Sequence, residues 1–350
     1  MNKEAMRAFM GQFMEMTTGA AVLGVVAVAD RTGLFRDLQG QGPLTLEEIT
    51  RRTGLQRRYL EEILATLSAA GIVNYDAETD RYELPDEHAA CVADESSPYF
   101  LGGWSQMVPA LYRAIPGVAA ACREGGGVPF RDFGDDMVEG IARSNAPGTR
   151  VLLTRKWLPL MPDMVTRLES GIRVADVGCG TGTAALTLGR AYPKSEIHGY
   201  DVDAPSVERA QAAREEEGLK NVSFERVDGG SLPADPGFDL ITTFDVIHDV
   251  VDPLAVLGQI REALREGGCY LMVEPVAGDT LAENLHPAGA LTYAMSTLHC
   301  MTQSLAQGGV GLGAAWGPRR AEKYCREAGF GSFERLEVPN PFNAFYRIGL

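Results

Sequence analysis

An apolar run, Val174-Ala175-Asp176-Val177, breaks into three glycines spaced two apart, Gly178, Gly180 and Gly182, and a helical pattern follows. Without a Cβ, such positions let the backbone turn tightly and approach a ligand that a side chain would hold off. Dinucleotide-binding turns space their glycines G-x-G-x-x-G, whereas the third glycine here comes one residue earlier. A second departure is Asp176, two residues before the first glycine. A carboxylate there repels a pyrophosphate and attracts a cation.

From Arg173 onwards short apolar strands alternate with helical stretches. Strands are expected at 173–177, 196–201, 222–226, 240–244, 270–273, 333–338 and 345–349. Helices are expected at 184–191, 205–217, 253–264 and 321–328. That alternation predicts a doubly wound, Rossmann-like α/β sheet with ligands at the carboxyl ends of its strands. The second strand ends at Asp201, where an acid can accept two hydrogen bonds from ribose hydroxyls. The third leads to Asp228, where a carboxylate can accept from an adenine amino group. The helix after Gly182 presents its free N–H groups to the same ligand.

Asp176–Gly182, Asp201, Asp228 and Phe238-Asp239-Leu240-Ile241 resemble the ordered motifs of class I methyltransferases dependent on S-adenosylmethionine (SAM). The resemblance spans residues 173–350, including a closing β-hairpin. It implies SAM as cofactor, with Asp176 facing the cationic amino acid end. Gly178, Gly180, Gly182, Asp201, Asp228 and Phe244 complete the expected cofactor set.

Methyl transfer is an in-line displacement at the sulfonium carbon, so the protein must position an acceptor and remove its proton. Residues for that work belong after the fourth and fifth strands. His248 follows the fourth in Asp245-Val246-Ile247-His248-Asp249-Val250. It resembles the His-Asp pair of plant-type O-methyltransferases, whose His is the general base, and an imidazole titrates in the right range. The Trp that follows that pair is Val250 here, so the likeness carries no substrate with it. The plainer reading is a His at a helix start with Asp249 as its cap.

Glu274 ends the fifth strand and is placed to partner His248. His299 lies in the apolar insertion after it, in Ser296-Thr297-Leu298-His299-Cys300-Met301-Thr302, which ends in the Gly-rich stretch 307–313. A lone His on such a helix is usually a core residue. Two imidazoles and one carboxylate around an open position, however, make a metal site. His248, Glu274 and His299 resemble the arrangement expected in bacterial α-keto acid C-methyltransferases. A divalent transition metal such as zinc would there chelate the keto acid and acidify its C–H bond. The acceptor atom is thus oxygen through a His base, or carbon with help from a metal. His88, His198 and His286 read as structural or exposed.

The first 38 residues read as helical, with Met6, Phe9, Met10 and Phe13 at helical spacing. A terminal helix this apolar needs a surface to bury against, which points to a homodimer. Thr45 and Glu48 form a capping box. The helices 46–52 and 57–70, with strands at 72–75 and 81–84, then give the order of a winged helix. The functional reading of that domain is DNA recognition through the Arg57 helix; the alternative is packing against a partner subunit over an active site. Arg51, Arg52, Arg57 and Arg58 are a thin basic patch on a chain of formal charge −15, which disfavours nucleic acid. Residues 96–169 read as mainly helical and rich in aromatics, broken at Pro116-Gly117, Gly125–Gly127 and Pro147-Gly148. The expected domains are therefore a winged-helix dimerisation domain at 1–95, a helical linker contributing to the substrate pocket at 96–169, and the SAM-binding catalytic domain at 170–350. This layout resembles bacterial small-molecule and plant-type O-methyltransferases, whose N-terminal domain supports dimerisation.

Six scattered cysteines without a CxxC pair fit a reducing cytoplasm and argue against a zinc ribbon. No leader with a cleavage site is visible, and the apolar stretch 19–29 reads as too short for a membrane span, which takes about 20 residues. The expectation is a cytoplasmic, dimeric SAM-dependent methyltransferase acting on a small molecule. The alternatives are a SAM-binding regulator associated with DNA, and a non-methylating enzyme on the same fold, such as a decarboxylase.

Overall fold

Asn2 opens the first helix, Lys3–Arg31, by accepting hydrogen bonds from the backbone of Glu4 and Ala5, two of the donors that a helix start leaves free. In this computed structural model, residues 1–227, 232–233 and 237–350 are described. The chain divides into two units: residues 1–109 with 139–147, and residues 110–138 with 148–350. Linker helices Gly102–Glu124 and Asp135–Leu152 are thereby shared out between the units.

In the first unit, β1 (Leu44–Thr45) pairs with the hairpin of β2 (Asn74–Asp76) and β3 (Arg81–Glu83), in the order β1-β3-β2. The Thr45–Glu48 capping box is present and starts the helix Leu46–Thr53. Helix Arg57–Ala69 packs Leu60, Leu64 and Leu67 onto Ala29, Leu34, Phe35 and Ile49. The wing begins two residues later than expected. The amides of Ile72 and Val73 turn back to the Leu67 carbonyl at 2.8 and 3.3 Å, closing the preceding helix before pairing starts.

Three of the four winged-helix arginines are occupied on their own helices. Arg51 pairs with Glu47, Arg57 with Glu61, and Arg58 with both Glu61 and Glu62. Arg52 donates to the carbonyl of Asp37. Such i,i+4 neutralisation leaves little charge to offer phosphates.

The first helix buries Val26, Ala27 and Ala29, yet Phe9, Met10, Phe13, Met14 and Met16 are each more than half exposed. Residues 19–29, read from the sequence as too short for a membrane span, lie within this helix. By length and composition the 29-residue helix is long and apolar enough to cross a membrane.

The second unit holds one seven-stranded sheet. Its strands are β4 (Arg173–Val177), β5 (Glu196–Asp201), β6 (Val222–Arg226), β7 (Phe238–Phe244), β8 (Leu264–Pro275), β9 (Ser332–Leu336) and β10 (Asn343–Gly349). They lie in the order β6-β5-β4-β7-β8-β10-β9, the first five parallel and β10 antiparallel to both neighbours. Alternate residues feed opposite faces, as a period of two demands. Val174 and Leu240 pack with Ala184 and Leu188 on one side. Ala175 and Ile241 pack with Leu257, Ile260 and Ala321 on the other. The strand order reverses at β4, so the gap between the carboxyl ends of β4 and β7 is the topological switch point where such sheets bind ligands.

Two of the helix breaks expected in the linker are absent. Gly102–Glu124 runs through Pro116-Gly117, and Asp135–Leu152 runs through Pro147. A proline forfeits one backbone bond. In the first helix, burial of Ala110, Leu111, Ala114 and Val118 along one face outweighs that loss. The break at Gly125 and Gly126 stands, both residues holding positive φ of 80° and 81°.

Candidate active site

The glycine turn is built as the sequence pattern requires. Gly178, Gly180 and Gly182 have φ of 69°, 52° and 83°, where side chains are strained. A Cβ on Gly178 would meet Val246 Cγ2 at 2.5 Å, and one on Gly182 would meet Phe224 Cζ at 2.5 Å. No side chain caps the helix Thr183–Ala191 that follows, so its first amides remain available to a ligand.

Asp201 ends β5 and fastens this turn. Its Oδ2 accepts from the Gly180 amide at 2.7 Å and its Oδ1 from the Asp203 amide at 2.8 Å. A carboxylate has about four acceptor positions, so two remain for hydroxyl donors. Asp176 is buried on β4. Its Oδ1 accepts from the Thr242 hydroxyl at 2.8 Å, while its Oδ2 has no partner among the described residues. A buried carboxylate oxygen without a donor is costly. Beside a glycine turn, that vacancy suits the ammonium or sulfonium of SAM. Phe244 ends β7, half-buried against the sheet's core. Asp228 lies outside the described residues.

Burial pushes the Asp176 carboxyl up to about 7; the Asp201 charge adds to this and the Thr242 hydroxyl opposes it. A cationic ligand favours the ionised form. SAM affinity is therefore expected to rise with pH up to about 7 and then level off, falling about tenfold per unit below that point. Calorimetry from about pH 5.5 to 7.5 reads this directly, and Asp176→Asn should flatten the profile. A flat wild-type profile would show that Asp176 does not meet the cofactor's charge.

On the acceptor side, β7 and β8 bring their carboxyl ends together. His248 follows β7 and Glu274 lies near the end of β8, both buried. His248 Nδ1 lies 2.6 Å from Glu274 Oε2, and Glu274 Oε1 accepts from the Ile247 and Val246 amides at 2.9 and 3.3 Å. Glu274 thus fixes both the ring and the loop that carries it. His248 Nε2 faces Asp249 Oδ1 at 3.2 Å. Burial works against a charged His248, but Asp249 and Glu274 outweigh it and hold its pKa well above the ordinary imidazole value.

The insertion after β8 closes over this loop. Gly313 N–H donates to the His248 carbonyl, Val310 N–H to that of Val251, and the Ser304 hydroxyl to that of Val250. Within the insertion, Ser296–Cys300 is a π-helical turn. It carries His299, whose ring meets the edges of Phe133 at 4.8 Å and Phe130 at 5.8 Å between centroids. His299 Nε2 is buried without a partner among the described residues, and burial lowers its pKa.

Two residues to which sequence reasoning gave no role, Asp245 and Cys300, also belong to the site, beside Asp249 of the His-Asp pair. Asp245 holds a φ of 57°, accepts from Asn343 Nδ2 at 2.7 Å, and is pushed up to about 7 by burial. Asp249 Oδ1 is buried and lies 3.2 Å from His248 Nε2. The Cys300 thiol is fully buried, and burial pushes it up to about 12. The donor atoms of His248, Asp249 and Cys300 all lie within 4.8 Å of one another. The remaining histidines have structural partners. His88 contacts the Ile72 carbonyl, His198 the Ser223 hydroxyl, and His286 caps a helix by accepting from Gly289. A cavity of about 410 Å³ lined by Val310, Leu312, Arg319, Arg320, Lys323 and Tyr324 contains none of the site residues.

This sheet, with its glycine turn at the switch point, is the class I methyltransferase fold. Residues 168–318 match the family described as a methyltransferase domain, and residues 20–94 match the Rv2258c-like winged HTH domain. Residues 168–318 are thus a methyltransferase domain, joined to a winged-helix domain at residues 20–94.

Among curated relatives, the acetylserotonin O-methyltransferase of Rattus norvegicus is 27% identical over 349 residues, covering 96% of this chain and 75% of its own length. The demethylmenaquinone methyltransferase of Lactococcus lactis is 31% identical over 107 residues, 30% of this chain. The matched stretches span only 30% to 46% of the length of the first five curated relatives. Among solved structures, the mitomycin 7-O-methyltransferase is similar with a TM-score of 0.73 and 17% identity, over 100% of both chains. Human N-acetylserotonin methyltransferase in complex with SAM is similar with a TM-score of 0.73 and 20% identity, over 97% of this chain and 96% of that one.

Proposed function

We propose that the protein transfers the methyl group of SAM to a small-molecule acceptor, with His248 at the reacting centre. The observation that carries this reading is the buried His248–Glu274 pair at the carboxyl ends of β7 and β8. β7 lies next to β4, which ends in the glycine turn. SAM, when bound, supplies the electrophilic methyl group. Asp176, Asp201 and the turn's backbone would hold it, which leaves His248 and its neighbours to position and deprotonate the acceptor.

Two readings of that deprotonation have separate support. In the first, the neutral form of His248, which its raised pKa favours only well above the ordinary imidazole range, takes a hydroxyl proton while Glu274 holds its other nitrogen, and the acceptor atom is oxygen. The names of the similar O-methyltransferases support it. In the second, the groups around His248 hold a divalent metal ion, which when bound would acidify the C–H bond beside the carbonyl of an α-keto acid. The buried His299 Nε2, without a hydrogen-bond partner among the described residues, and the closeness of the His248, Asp249 and Cys300 donor atoms favour this second reading. Helix Lys3–Arg31, with its exposed Phe and Met face, supports a homodimer. The paired arginines of the winged helix support a domain that does not bind nucleic acid, and the free cysteines support a cytoplasmic site of action.

The test is metal content by plasma mass spectrometry on protein purified without chelator, followed by release of S-adenosylhomocysteine across an acceptor panel. A near-stoichiometric transition metal with turnover on α-keto acids is the result of the second reading. Metal-free turnover on hydroxylated aromatics is the result of the first. SAM binding without product from either set would favour the non-methylating alternative.

A further inference from the structure

We infer that the cavity between residues 310–312 and helix Gly317–Glu327 is a second binding site, which takes a small organic anion and steadies the loop carrying His248. None of the residues given to SAM or to the acceptor lines it, so the inference stands whichever acceptor chemistry holds.

The helix sets one wall. Ala321 and Cys325, four residues apart, are buried in the core with Tyr270 and Ile348 and fix how the helix is turned. Arg319, Arg320 and Lys323 are thereby left exposed, and with Tyr324 they line the cavity. Val310, Gly311 and Leu312 close it from the other side. Its volume of about 410 Å³ suits a small molecule.

The charge on this wall works against the helix that carries it. The first turn of Gly317–Glu327 holds no acid, and its third and fourth residues are arginines. Cations at a helix start oppose the helix dipole. Lys323 then stands four residues from Arg319 and three from Arg320, where like charges repel. Asp279 relieves part of this: its Oδ1 accepts from the Arg319 amide at 2.7 Å, and its Oδ2 lies 3.1 Å from Arg319 Nε. The helix start is thus already capped, and the site rests on the side chains around the cavity. Lys323 has only Glu327 at 3.7 Å, an exposed pair worth little. Arg320 has no ion pair or hydrogen bond among the described residues. Three cations around one cavity, on a chain of formal charge −15, break local helix rules in the way functional positions do.

The same walls describe the ligand. A guanidinium offers a planar fork of donors that fits a carboxylate or a phosphate. Val310, Leu312 and the Tyr324 ring supply apolar surface beside it, and the ring is seated against the edge of Trp316 at 6.1 Å between centroids. The occupant is therefore an oxyanion with an apolar body.

The opposite wall reaches the acceptor side. Val310 N–H donates to the Val251 carbonyl at 3.1 Å, and Gly313 N–H to that of His248 at 3.2 Å. Gly311 N–H donates to Ser304 Oγ at 3.3 Å, and Leu312 packs against the core that holds Ile247. A ligand bridging this wall to the helix binds the docked arrangement of 310–313 and not the open one, so it favours the docked His248 loop.

The test is calorimetry of the full chain, saturated with S-adenosylhomocysteine, against phenyl phosphate and benzoate at constant ionic strength. Expected is one equivalent of at least one probe, with a dissociation constant below about 1 mM. Binding of the first alone assigns the head group as phosphate, and of the second alone as carboxylate. The double variant Arg320→Ser with Lys323→Ser should weaken it by more than about 10-fold, because charge-assisted hydrogen bonds are lost. Unchanged SAM affinity shows that this variant is folded. At about ten times the dissociation constant, the amides of Val310 and Gly313 should exchange about 10-fold more slowly, since opening must release the ligand. Saturable binding of neither probe, or equal affinity in the double variant, overturns the site. Binding with unaltered exchange at Val310 and Gly313 overturns its link to the His248 loop.

Discussion

Replacing His248 by alanine is expected to lower kcat by about 10²–10⁴-fold while leaving SAM affinity within about twofold of wild type. The separation follows from where the groups sit. The cofactor turn hangs on β4 and β5 through Asp176, Asp201 and the glycines, and none of their hydrogen bonds runs to His248. His248 is held from the other side, by Glu274 on β8 and by the Gly313 amide on its carbonyl. Alanine removes the one side chain poised between both readings of the acceptor chemistry, base or ligand. Steady-state kinetics on an identified acceptor, with calorimetry for SAM, reads both numbers. Wild-type turnover in His248→Ala would move the reacting centre elsewhere. A parallel loss of SAM binding would mean that the His248 loop supports the cradle, through Val246 against Gly178.

The contrast between β4–β6 and the acceptor site shows what a sequence exposes. For β4, β5 and β6 the expected and observed limits coincide, because glycines and acids at strand ends are local signals with a fixed period. β8 is much longer than the apolar core 270–273 by which it was recognised. Its first residues, Leu264 to Cys269, extend the ladder through backbone pairing that leaves no apolar pattern. The continuous helices through Pro116 and Pro147 show tertiary burial overriding a local breaker. Around His248, the residues from β7 and β8 were legible because adjacent parallel strands must present their carboxyl ends together. Cys300 was not, since a small apolar-looking residue in an apolar insertion has no signature until the chain folds back on the His248 loop. Asp245 was hidden for another reason: its left-handed backbone, at φ 57°, is set by the fold and not by its residue type.

The largest structural effect should come from Arg143, in the segment 139–147 that joins the first unit from far along the chain. Its guanidinium makes two bonds to Asp30, at 2.8 and 2.9 Å, across 113 residues of sequence. It also donates to Glu95 at 2.8 and 3.1 Å and to Gln106 at 3.0 Å, and its cation lies 5.4 Å from the Phe100 ring centre. The Asp30 hydrogen bonds, ahead of burial, which opposes them, hold it charged. With side chains only 15% and 10% exposed, the Arg143–Asp30 pair is shielded from water. Arg143→Met keeps the volume but strands Asp30 as a buried, unpaired carboxylate, which costs about 3–5 kcal/mol. Glu95 adds less, because its side chain is 42% exposed and solvent screens the pair. Denaturant unfolding followed by hydrogen exchange should show the loss in the first unit, with the seven-stranded sheet's protection unchanged. The double variant Arg143→Met with Asp30→Leu should recover a large part of it, since a buried ion pair replaced by apolar groups is often neutral or better. If Arg143→Met unfolds at the wild-type midpoint, the ion pair does not tie segment 139–147 to the first unit. If the double variant is no better than the single, the network's worth lies in Glu95 and Gln106 and not in Asp30.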